Sequence, residues 1–168
     1  MTYAVVYHSR TGNTAQLAEA IKGVVPPASC VYFGPAAPQA LAADTLFVGF
    51  WTDKGTCDQA TADFLQTLSG KAVFLFGTAG FGGTPDYFQR ILKAAEHHLP
   101  AGNTMLGSFM CQGRMPAAIK HRYEKMLAEK PGDAQLISFI ANFDQAQSHP
   151  DAADCAALRD KVLALLPQ

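Results

Sequence analysis

The chain has 168 residues, 49% of them apolar, and a formal net charge of −1. That length supports one domain with a substantial core, and the near-neutral charge gives no electrostatic footprint for nucleic acid or an acidic surface. No apolar run approaches the roughly 18 residues of a membrane span, and the start lacks the basic residues and apolar core of a secretory leader, so the expected compartment is the cytoplasm, with no membrane partner.

The first apolar run, Tyr3-Ala4-Val5-Val6-Tyr7, predicts a strand, and Ala15–Ile21 predicts a helix. Between them lies Ser9-Arg10-Thr11-Gly12-Asn13-Thr14, six small or polar residues without an acid. A helix N-terminus offers free backbone N–H groups and a favourable dipole to an anion. Three hydroxyls and an amide side chain add to those groups, and Gly12 lets the backbone close around the ligand. The loop reads as a phosphate site, although Ser and Thr also serve as plain helix caps.

Further runs at 30–33, 45–50, 72–76 and 104–111 predict four more strands. Leu46–Val48 and Ala72–Phe76 are continuously apolar, as strands buried on both faces of a parallel sheet are. Residues 34–44 read as a short helix or a loop. Ala60, Phe64, Leu65 and Leu68 have helical spacing, and Thr84-Pro85-Asp86 is a helix start ahead of Phe88, Ile91, Leu92, Ala95 and Leu99. After Cys111-Gln112-Gly113, one helical face is predicted from Ile119, Tyr123, Met126 and Leu127, and a second from Leu136, Ile137, Ile140 and Phe143. A last helix starts near Asp151, with early acids and later bases. The cysteines at 30, 57, 111 and 155 form no C-x-x-C pair, which argues against zinc or a redox dithiol and leaves one buried bridge open. No pair of histidines has metal-ligand spacing, and His8 reads as a neighbour satisfied by local bonds.

Strands and helices alternating in this way predict an α/β doubly wound sheet of five parallel strands, with helices on both faces and a helical insertion at about 114–147 before the last helix. The hydroxyl-x-Thr-Gly-x-Thr pattern of Ser9–Thr14, directly after the first strand, resembles the FMN-phosphate loop of the flavodoxin family. That resemblance covers residues 2–113 and the last helix. It implies the strand order 2-1-3-4-5, one FMN-binding domain over residues 1–168, and a flavin held by the loops after strands 1, 3 and 4.

In the second of those loops, Phe50-Trp51-Thr52-Asp53-Lys54-Gly55, the only tryptophan either lies against the flavin ring or packs as core. Gly55 either supplies a freely rotating peptide beside the ring or serves a turn. Asp53 and Asp58 are expected to oppose charge on the reduced flavin, and Lys54 to favour it. The third loop, Thr78-Ala79-Gly80-Phe81-Gly82-Gly83, brings backbone close to a flat ligand, with Phe81 covering the second ring face. Phe50-Trp51, Leu75–Thr78 and Cys111–Gly113 are also similar to a subgroup of short flavodoxins, some of which accompany flavoenzyme reductases, including a bilirubin-reducing system.

The resemblance thus implies an electron carrier that moves electrons from a reductase donor to a flavoenzyme acceptor. Two other readings stand beside it: an FMN-dependent NAD(P)H reductase of quinones or similar small molecules, and an accessory domain that has lost flavin. The chain departs from the acidic character of typical flavodoxins, and Arg114, Lys120, Arg122, Lys125 and Lys130 concentrate positive charge in the insertion. The insertion either packs on the sheet edge or receives a partner.

Overall fold

The computed structural model describes residues 1–167. Five parallel strands form the sheet in the order β2–β1–β3–β5–β6: β1 is Tyr3–Tyr7, β2 Cys30–Gly34, β3 Thr45–Asp53, β5 Ala72–Ala79 and β6 Thr104–Gln112. A two-residue strand, β4 (Thr56–Cys57), folds back antiparallel on the end of β3. With that short hairpin set aside, the order is the expected 2-1-3-4-5.

Alternate residues of the central strands divide between two cores, which is why their sequences are apolar without interruption. Ala4, Val6, Leu46, Val48, Phe50, Val73 and Leu75 join the core under helices α2 (Gln59–Gln66) and α3 (Pro85–Glu96). Tyr3, Val5, Phe47, Phe74 and Phe76 join the core under α1 (Asn13–Lys22) and α6 (Ala152–Leu163). Side-chain caps start the later helices. Thr84 Oγ1 accepts from Tyr87 N–H ahead of Pro85, and Asp151 and Asp154 form a reciprocal capping box on α6. The 34–44 connection contains a single 3-10 turn, Pro38–Ala42. All four cysteines are free thiols.

Helices α4 (Ala117–Glu129) and α5 (Ala134–Ala146) form a hairpin between β6 and α6. Helix α4 has no buried residue. Ile119, Tyr123 and Leu127, four residues apart, are half-buried, whereas Met126, expected on the same face, is 41% exposed. Likewise Ile137 is 50% exposed while Leu136 and Phe143 are buried. The narrower apolar stripes follow from the packing: the two helices lean mainly on each other, and so each needs less than a full core-facing side.

Candidate functional site

The carboxyl ends of β1, β3 and β5 lie side by side, with Tyr7 opposite Gly49 and Trp51 opposite Thr78. A cavity of about 440 Å³ opens above them, lined by Ser9, Arg10, Thr11, Asn13 and Thr14, by Trp51 and Thr52, by Thr78, Gly80 and Phe81, and by residues of the segment 113–119. Its size is within the usual range of small-molecule sites.

The loop after β1 is bent by its own side chains. Gly12 takes φ +90° at the cap of α1, and Ser9 Oγ accepts the N–H groups of Gly12 and Ala15 at 3.1 and 3.2 Å. The first-turn N–H groups of Asn13 and Thr14 have no acceptor within the helix, and no acid lies in that turn. Thr11 Oγ1 accepts from Asn13 Nδ2 at 3.1 Å. Thr14 corrects the expectation of a phosphate-facing hydroxyl. Its buried Oγ1 donates to Phe50 O at 3.1 Å and lies 3.1 Å from Thr78 Oγ1, so it ties the start of α1 to the ends of β3 and β5.

The second loop divides. Trp51 is half-buried and lines the cavity, with the Arg10 guanidinium 5.3 Å over its ring. Arg10 thus faces the site rather than solvent alone. Thr52 Oγ1 donates to Thr78 O at 2.8 Å. Phe50 is fully buried among the residues of the α2/α3 core, on the same side of β3 as Leu46 and Val48. Asp53, Lys54 and Gly55 lie outside the cavity lining. Lys54 and Gly55, with φ +49° and +83°, are the two central residues of the β3–β4 hairpin, where a two-residue turn calls for positive φ at both positions. The turn is therefore sufficient reason for Gly55. Asp58 is committed to the start of α2, where it accepts Thr61 N–H.

In the third loop, Thr78, Gly80 and Phe81 line the cavity; Ala79 is buried beneath, and Gly82 and Gly83 lie beyond it in the turn into α3. The Phe81 ring is turned toward the helical hairpin, edge-on to Phe139 at 5.6 Å and Tyr123 at 6.4 Å. Its expected role as a cover for a second ring face gives way to this aromatic cluster.

The fourth wall was absent from the sequence-based expectation: Gly113, Arg114, Met115, Pro116, Ala118 and Ile119. Asn13 Nδ2 donates to Arg114 O at 2.8 Å, and Gly113 leaves room for it, since a Cβ there would lie 2.4 Å from Asn13 Nδ2. Met115 rests on Gly80, where a Cβ would lie 2.5 Å from its Sδ. Asn142 of α5 donates to Gly80 O at 2.9 Å and accepts from Gln112 at 3.1 Å, so the hairpin holds both the third loop and the end of β6. The only clue in the sequence was Cys111-Gln112-Gly113, whose glycine makes sense only beside Asn13.

Among the described residues, the cavity lining contains two arginines and no acid. Arg114 Nη2 donates to Gln16 Oε1 at 3.1 Å. Asn13 Oδ1 is buried without a partner, an acceptor left for a donor from a ligand. The donor set therefore suits a phosphate at the helix start, a hydroxylated chain beside Asn13 and a flat ring against Trp51. Elsewhere, His149, Asp151 and Asp154 bring ligand atoms within 4.8 Å of one another, but both carboxylates are engaged in capping α6. No helix among the described residues is long and apolar enough to cross a membrane.

A family model described as a flavodoxin domain matches residues 4–162. The flavodoxin-like domain-containing protein BilS of Clostridium symbiosum is 40% identical over 185 residues, covering 99% of this chain and 97% of its own. The protein of the same name from Clostridioides difficile is 33% identical over 158 residues, covering 90% and 88%. Among solved structures, the Streptococcus pneumoniae flavodoxin has a TM-score of 0.54 at 15% identity, covering 98% of this chain and 99% of its own. Two-electron reduced Megasphaera elsdenii flavodoxin scores 0.52 at 17% identity, covering 97% and 99%. A Lactobacillus acidophilus flavoprotein in complex with FMN scores 0.50 at 12% identity, covering 66% and 93%. Sequence match and strand order agree, and the chain belongs to the flavodoxin domain family.

Proposed function

We propose that this protein binds FMN in the cavity above β1, β3 and β5 and carries electrons from a reductase to a flavoenzyme. FMN is the cofactor that membership of the flavodoxin family brings with it. One observation carries the reading: a helix N-terminus with free N–H groups and the only tryptophan share one cavity whose described lining has no carboxylate. The flavin, when bound, supplies reversible electron uptake. The chain's residues do the rest. Asn13 and Thr14 N–H, with Arg10 and Arg114, hold the phosphate charge, and Asn13 Oδ1 accepts from the sugar-alcohol chain. Trp51 offers a flat apolar face, and Met115, Pro116 and Ile119 exclude water from the far side.

The resemblance to the subgroup noted above supports, as acceptor, a flavoenzyme reductase of the bilirubin-reducing kind. The docking face is the exposed side of α4, beside the cavity. Arg122, Lys125 and Lys130 are exposed there, while Lys120 is tied to Asp144 at 2.6 Å.

Gently purified protein is expected to show flavin absorption near about 370 and 450 nm, which belongs to the cofactor. Stripped protein is expected to bind FMN far more tightly than riboflavin, because the loop donors stay unpaired without phosphate. Equal affinity for the two would refute the phosphate assignment. Rapid NAD(P)H oxidation by the isolated protein would favour a stand-alone reductase over a carrier.

A further inference from the structure

His8 and Asp58 form a pair that neither the phosphate loop nor the strand ladder requires. His8 follows β1 directly, and its N–H donates to Gly49 O at 3.0 Å, which fixes where its side chain begins. Asp58 caps α2, with Oδ1 accepting Thr61 N–H at 3.1 Å and Oδ2 accepting the Thr61 hydroxyl at 2.8 Å. Its own N–H donates to Trp51 O at 3.1 Å. The imidazole Nδ1 then meets Asp58 Oδ1 at 2.6 Å, and the imidazole is 48% exposed while the carboxylate is 2% exposed. A helix cap needs one acceptor for the helix N–H groups, so the imidazole is an addition to the cap.

The same imidazole touches Trp51. Its Nδ1 is 3.4 Å from the indole Nε1, and the rings stand edge to face with centroids 6.3 Å apart. With the Nδ1 hydrogen donated to Asp58, that nitrogen has no lone pair for the indole N–H, and the contact is one of ring edges. Trp51 is thus held by its backbone to Asp58, by its edge to His8, and over its face by Arg10.

We infer that His8, oriented by Asp58, is a positioning residue of the redox site: its imidazole fixes the Trp51 indole where that ring lines the cavity. The effect on FMN rests on the flavin reading above; the effect on Trp51 does not.

Two readouts test this. Trp51 is the sole tryptophan, so emission from flavin-free protein reports on it alone. Removing the imidazole in His8→Ala is expected to free the indole, read as a lower emission anisotropy and faster quenching by acrylamide. Asp58→Asn, which keeps a capping acceptor for α2, should move both readouts in the same direction and by less. Anisotropy and quenching equal to wild type in His8→Ala overturn the inference. In FMN-loaded protein, His8→Ala should weaken FMN several-fold, and should weaken it no further when Trp51→Ala is already present. Losses that add in the double variant, as independent sites do, overturn the flavin part even if the indole is freed. If stripped protein takes up no FMN, the function proposed above fails, while the emission readouts still decide the role of His8 toward Trp51.

Discussion

Replacing Gly113 by alanine should unseat the phosphate loop from a position 100 residues away in sequence, and the structure gives the size of the effect. A methyl group at 113 would lie 2.4 Å from Asn13 Nδ2 and 2.9 Å from its Cγ. Asn13 is buried and cannot swing into solvent. Forcing a methyl into a filled site costs about 1–3 kcal/mol. Displacing Asn13 also breaks its 2.8 Å bond to Arg114 O, and a buried polar group left unpaired costs about 1–3 kcal/mol. Alanine restricts the unfolded chain and returns about 0.4–1 kcal/mol. The net expectation is a loss of roughly 2–4 kcal/mol, read as a lower urea midpoint of flavin-free protein at unchanged slope. Asn13→Ala alone should cost about 1–3 kcal/mol through the orphaned Arg114 carbonyl. The double variant should cost little more than Asn13→Ala, since the methyl then occupies the space the carboxamide left. If the two losses instead add within about 0.5 kcal/mol, as independent sites do, the contact between Gly113 and Asn13 is not what holds the loop.

Trp51→Ala should weaken FMN by roughly 1–3 kcal/mol through lost burial and stacking, with a small change in the urea midpoint because the indole is half-exposed; a variant that loses stability but keeps its FMN affinity would make Trp51 a core residue. Thr14→Val should cost about 1–3 kcal/mol of stability by stranding Phe50 O and the Thr78 hydroxyl, with Thr14→Ser largely restoring it; a neutral valine variant would contradict the inward hydroxyl. Asp44 is held below the ordinary carboxyl value of 3.8, chiefly by the Thr2 N–H. A lowered folded value stabilises the protein above the unfolded value and is lost as pH falls through the folded one. Asp44→Asn should therefore flatten the loss of stability below about pH 4, and an acid profile identical to wild type would refute the link. Arg122→Glu with Lys125→Glu should slow electron transfer to an acidic partner at low salt and converge on wild type at high salt; equal rates at every ionic strength would reduce the α4 face to solvated surface.

Much of the scaffold is legible in the linear order of residues because its causes are local. Continuous apolar runs at 3–7, 46–48 and 72–76 mark strands covered on both faces. Thr84-Pro85 and Asp151 start helices where a side-chain acceptor meets free N–H groups. Ser9–Thr14, six residues without an acid, run from just past β1 into the first turn of α1, where a helix start leaves N–H donors free. Even the inward turn of Phe50 follows from its sharing a face with Leu46 and Val48. What the order of residues could not show is which distant groups meet. Asn13 and Arg114 are 101 positions apart, and His8 and Asp58 are 50 apart. The hairpin of α4 and α5 turns the Phe81 ring toward Phe139 and brings Met115 onto Gly80. Thr14, at the start of α1, turns inward because Phe50 O on β3 and Thr78 on neighbouring β5 lie together beneath it. Capping and periodicity act over a few residues and leave a trace in spacing, whereas these contacts depend on strand register and on where a hairpin settles, and side chains far apart in sequence leave no spacing to read.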